Sequence, residues 1–124
     1  MFFLIVILSS ALANTALEMR IFQRQNEVRT NPRAYAGTSY VGGEPAPPLT
    51  YSPTLSKIAL SHCLDTNAKG HTGGDGSTVG QRVERYGQWK RRVAENIAYG
   101  ESDAQNILLR LYESPGHRRN LLNK

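Results

Sequence analysis

A chain of 124 residues with 40% hydrophobic residues and a formal net charge of +5 has room for one domain, since domains typically run to about 100–150 residues. Its one cysteine, Cys63, excludes an internal disulfide framework. The 15 cations are spread out, with Lys90-Arg91-Arg92 and Arg118-Arg119 the densest groups, which is not the clustered stripe of a nucleic-acid binder. No nucleic-acid partner is expected, and the basic surface reads as a solvated face, the alternative being a weak attraction for acidic headgroups or glycans.

Residues 1–13 form an uncharged apolar run ending in Ala11-Leu12-Ala13. A span needs roughly 20 predominantly apolar residues, so the run reads as a secretory signal peptide cut before Asn14, with no transmembrane segment left after cleavage. Residues 14–124 then form a single domain. About a third of that mature chain is apolar, a lean core for a domain without disulfides. Cys63 lies in an apolar helical pattern and reads as buried.

The mature chain opens with an amphipathic helix over about 16–30, carried by Leu17, Ile21, Phe22 and Val28 and ended by Asn31-Pro32, because the residue before proline is pushed out of the helical region. Residues 37–48 are rich in glycine and proline and read as a loop. Ser52-Pro53 starts the next helix, with serine as cap and proline at the first position. It is expected to reach about Asn67, with Leu55, Ile58, Ala59, His62 and Cys63 on one face; His62 is read as a core-edge histidine. Three glycines follow in His71 to Gly76. No strand precedes them and no Lys-Ser/Thr follows, so a nucleotide loop is not expected. Ser77 is expected to cap a short helix through Tyr86, stopped by Gly87. Val93 to Tyr99 reads as a strand. Ser102 to Gln105 matches a capping box for a helix with Ile107, Leu108 and Leu111 inward. Ser114-Pro115 then presents His117 at the start of a last short helix.

Two imidazoles and a carboxylate, His71, Glu95 and His117, stand beside these turns. No local spacing makes them a zinc motif, but brought together they would suit a divalent ion or acid and base work.

The order of motifs adds to this. Asn26-Glu-Val-Arg29, Pro-Leu-Thr-Tyr-Ser over Pro48 to Ser52, His71, Asp75-Gly76-Ser77, Arg82, Gly87, Glu95-Asn96-Ile97 and Ser114-Pro-Gly-His-Arg-x-Asn120 resemble the CAP superfamily of cysteine-rich secretory, antigen 5 and pathogenesis-related class 1 proteins. The resemblance spans about Ala16 to Asn123. It implies an α+β fold, a secreted α/β/α sandwich with an open cleft lined by two histidines and usually two glutamates that can bind zinc. His71 and His117 match the histidines and Glu95 the glutamate of the strand. The second glutamate position falls near Ser114, which leaves a three-residue site of His71, Glu95 and His117. Ala94 stands where the family has glycine, and Leu111 replaces a tryptophan. Family members continue into at least two more strands of an antiparallel sheet, so the resemblance implies that the C-terminal strands of the sheet are missing here, as in a truncated or degenerate copy, a short splice form or a compact variant.

The function that follows is a secreted, extracellular, non-catalytic protein that binds a sterol or other lipid, a glycan or a protein through a cleft of His71, Glu95, His117 and Ser114, with zinc or another divalent cation as its one possible cofactor. The alternatives are a metal-dependent or histidine-assisted peptidase, with Glu95 taking the proton from a polarised water, and a non-functional remnant.

Overall fold

The computed structural model describes residues 3–8, 15–35, 43–87, 92–100 and 103–124. In chain order the elements are β1 (Phe3–Leu8), α1 (Thr15–Thr30), a 3-10 turn (Pro32–Ala34), α2 (Pro53–Leu64), α3 (Val79–Glu84), β2 (Val93–Ala98), α4 (Ala104–Glu113) and α5 (Pro115–Leu121). Ala13-Asn14, residues 37–42, Lys90-Arg91 and Ser102, which carry expectations above, lie outside the described residues.

The helix boundaries follow local chemistry. Helix α1 ends at Thr30, before Asn31-Pro32, and α2 begins at Pro53 with the Ser52 hydroxyl accepting from the Leu55 amide. Two expected caps sit one residue away from their expected places. Thr78, not Ser77, caps α3, because Thr78 and Gln81 satisfy one another's amides in a reciprocal box. Asp103 caps α4 by accepting from the Asn106 amide at 2.9 Å, since a carboxylate at that position serves the helix dipole as well as the amide. Helix α2 stops at Leu64, three residues earlier than expected, where the Asp65 amide turns back to the His62 carbonyl.

Strand β2 divides the molecule. Successive strand residues face opposite sides, and Ala98 joins a core of Ile21, Val28, Ile107, Leu108, Leu111, Tyr112 and Leu121 from α1, α4 and α5. Val93 and Ile97 join the other core, built by α2 and α3 from Leu55, Ile58, Ala59 and Val83. Cys63 is half-buried at the margin of this second core rather than fully buried. The helices and strands make a mixed α+β chain. Among the described residues the sheet is a two-stranded parallel pair, β1 with β2, in register from Phe3 opposite Val93 to Leu8 opposite Ala98, where the resemblance implies an antiparallel arrangement. The pairing gives β2 a partner that comes from the segment read as a leader.

The early Asn-x-x-Arg motif is structural. The Asn26 side chain pairs with both backbone groups of Leu49, at 3.1 and 2.7 Å. Arg29 is buried and donates to the carbonyls of Pro47, Leu121 and Asn123 at 2.9, 2.7 and 2.8 Å; that burial holds its guanidinium below the usual range. One helix face thereby fixes both the segment leading to α2 and the end of α5. Tyr112, fully buried, donates to the Pro32 carbonyl at 3.0 Å. Its ring lies 5.9 Å from that of Tyr35, whose hydroxyl burial pushes up to about 12.

Candidate functional site

Glu95 and Asn96 are neighbours in β2, so their side chains leave the strand on opposite faces. Each organises one histidine. On the α2/α3 side, the Glu95 carboxylate is 2% exposed, with Oε1 at 2.9 Å from His71 Nδ1 and Oε2 accepting from Arg82 Nη2 at 2.6 Å. Arg82 is itself 9% exposed, and its Nη1 donates to the carbonyls of His71 and Ser77 at 3.0 Å each. A single guanidinium therefore ties together the loop that carries His71 and the strand that carries Glu95. The His71 side chain, 57% exposed, stands at the edge of this network.

The loop that holds His71 is closed on itself. The Thr72 amide donates to Lys69, the Gly73 amide to Ser77 and the Gly76 amide to Gly73, and the Gly74 amide donates to Asp65 Oδ2 at 2.6 Å. These amides are used up internally, so the glycines form no phosphate cradle. Gly74 is required by close approach, because a Cβ there would lie 2.6 Å from Asp65 Oδ1 and from Asn67 Cβ. The Asp65 carboxyl is held below its usual range by the Gly74 and Asn67 amides, and the Asp75 carboxyl well below it by Ser77 and Arg85. His62 lies in the core and pairs through Nε2 with the Gly70 carbonyl at 2.8 Å; it supports the start of this loop.

On the α5 side, Asn96 is fully buried and its amide donates to the His117 carbonyl at 3.2 Å. The Asn120 amide in turn donates to Asn96 Oδ1 at 2.9 Å and reaches the Glu95 carbonyl at 3.4 Å. Helix α5 is thus clamped to β2, and His117 is placed by its backbone. The imidazole of His117 is held below its usual range first by burial and then by its electrostatic interaction with His71. Ser114 joins the helices, its amide donating to the Arg110 carbonyl and its carbonyl accepting from the Arg118 amide.

Among the described residues no three His, Cys, Asp or Glu side chains are arranged to hold a metal ion. The reason is visible in Glu95. Both of its oxygens are engaged, one by Arg82 and the other by His71. Arg82, Asn96 and Asn120 carry no role in a reading by residue type, since a lone arginine or asparagine usually faces water. One signal was present: Arg82 lies three residues after Val79 and beside Val83, on the inward stripe of its helix.

No helix among the described residues is long and apolar enough to cross a membrane. No curated protein and no solved structure matches the chain. The family model described as Cysteine-rich secretory protein family, CAP, matches residues 22–124, a stretch that contains His71, Arg82, Glu95, Asn96 and His117, and the chain therefore belongs to that family.

Proposed function

We propose that this CAP-domain chain is a secreted, non-catalytic protein that binds an extracellular lipid, glycan or protein in the cleft between His71 and His117. The observation that supports this reading is the state of Glu95. A general base must be free to take a proton in reach of the reacting group, and this carboxylate is buried between a guanidinium and an imidazole. With Glu95 engaged in this way, the reading takes the imidazoles as recognition groups rather than as parts of a catalytic set.

Secretion rests on residues 1–13, read as a leader removed before Asn14. In the chain described here residues 3–8 form β1, so removal would leave β2 without that partner. A zinc ion, where present, would be held by His71 and His117 with Glu95 behind His71, and would add a Lewis-acid contact for a ligand oxygen. The family-type α/β/α sandwich is the architecture that this reading assumes.

The test is a binding screen of the secreted product against sterols, fatty acids and glycans, repeated with His71→Ala and His117→Ala. Loss of a hit in both variants supports the reading. Turnover of a diverse peptide pool that His71→Ala abolishes would replace it with the hydrolase reading.

A further inference from the structure

Resting on that reading of the cleft, we propose that Arg82 is a positioning residue that sets the tautomer of His71 through Glu95, so that His71 Nε2 meets the ligand as a hydrogen-bond acceptor. The argument begins at the buried end. A guanidinium has donors only and keeps its charge in proteins, so the Glu95 oxygen 2.6 Å from Arg82 Nη2 must accept. Charge-assisted pairs of this kind are the strong ones, and the carboxylate paired in this way is an acceptor at both oxygens. His71 Nδ1, 2.9 Å from the other oxygen, therefore has to donate.

In a neutral imidazole one nitrogen carries the proton and the other a lone pair. With the proton committed to Nδ1, the lone pair lies on Nε2, the ring nitrogen not engaged by the buried carboxylate, in a side chain that is 57% exposed. Arg82 also donates to the His71 carbonyl, so the same residue fixes where the ring is anchored and which of its faces accepts. The ligand class follows. A hydroxyl, an amide N–H or another group with a hydrogen to give is favoured at Nε2, and a carboxylate or phosphate is disfavoured when the imidazole is neutral.

The polarity can be reversed without changing the shape. In Glu95→Gln, Arg82 claims the amide oxygen and turns the amide nitrogen toward His71. Nδ1 must then accept, and the proton moves to Nε2. Nitrogen-15 spectroscopy of the full chain, at a pH where its imidazoles are neutral, reads the tautomer directly and needs no ligand. The expected result is a protonated Nδ1 in the native chain and a protonated Nε2 in Glu95→Gln. A native chain protonated at Nε2, or a folded Glu95→Gln that keeps the proton on Nδ1, overturns the proposal. If Glu95→Gln does not fold, Arg82→Gln decides: a fall in the Nδ1-protonated fraction supports the proposal, and an unchanged fraction overturns it. Arg85→Gln, which removes only the exposed Arg85 to Asp75 pair, should leave the tautomer as it is. Failure here would leave ligand binding by the cleft intact, whereas loss of the binding reading would appear in the ligand screen with the tautomer unchanged.

Discussion

His71 and His117 are held in place by opposite means. His71 sits on an irregular loop and is held by its side chain, through Glu95 to Arg82, and by its carbonyl, again to Arg82. His117 sits in the first turn of α5 and is held by its backbone, through Asn96 and Asn120. The difference teaches what each kind of scaffold needs. A helix carries its side chains in fixed directions, so clamping its axis is enough. A loop has no such directions, and its imidazole needs an ionic anchor. Adjacent residues of one strand serve both cases because alternation sends Glu95 to one face and Asn96 to the other.

If this division holds, the α2/α3 side depends on one charge and should break hardest. Arg82→Met leaves the Glu95 carboxylate buried without its partner, for which the cost is about 3–5 kcal/mol. In a chain of this size that lowers Tm by more than about 10 °C, measurable by thermal unfolding. Loss of less than about 1 kcal/mol would mean that water replaces the guanidinium and that the pair is not the anchor.

This anchor joins residues that no local pattern in the sequence connects. The stop at Asn31-Pro32, the start at Ser52-Pro53, the strand from Val93, the core position of His62 and the place of His117 in α5 were all legible, because each is decided by neighbours a few residues away. Ser77 and Ser102 were read as caps where Thr78 and Asp103 do the work, a one-residue difference that several capping residues in a row leave open. Arg82 and Glu95 are 13 residues apart, and Asn96 and Asn120 are 24 apart. No local periodicity selects such partners. Residue type and motif order single out Glu95 beside His71, but only its placement shows that its other oxygen pairs with Arg82. The pairing of residues 3–8 with β2 was equally out of reach, since an apolar uncharged run satisfies both a leader and a strand.

Two smaller changes sharpen the comparison by touching one side at a time. Asn96→Ala removes the donor to the His117 carbonyl from a fully buried position and should cost about 1–3 kcal/mol. NMR should show the His117 signals moving while the His71 tautomer stays. Gly74→Ala places a Cβ against Asp65 and Asn67 and should cost about 1–3 kcal/mol through overpacking, with the opposite pattern: His71 moves and His117 stays.

Acid should separate the two sides most gently. Asp65 and Asp75 have folded carboxyls held below their ordinary range. The stability they contribute is present above the unfolded carboxylate value of about 3.9 and is lost as pH falls below it. Hydrogen exchange should show the Gly74 amide losing protection below about pH 4 while the amides of α5, held by Asn96 and Asn120, keep theirs.

The most direct test of the account is a calorimetric zinc titration of the native chain, His71→Ala, His117→Ala and Glu95→Gln at neutral pH. The account predicts weak binding by the native chain, binding lost with either histidine, and affinity reduced about 10–100-fold with Glu95→Gln, as for a carboxylate that orients a ligand without being one. Binding that survives the loss of both histidines, or that Glu95→Gln abolishes as completely as His71→Ala does, would contradict it.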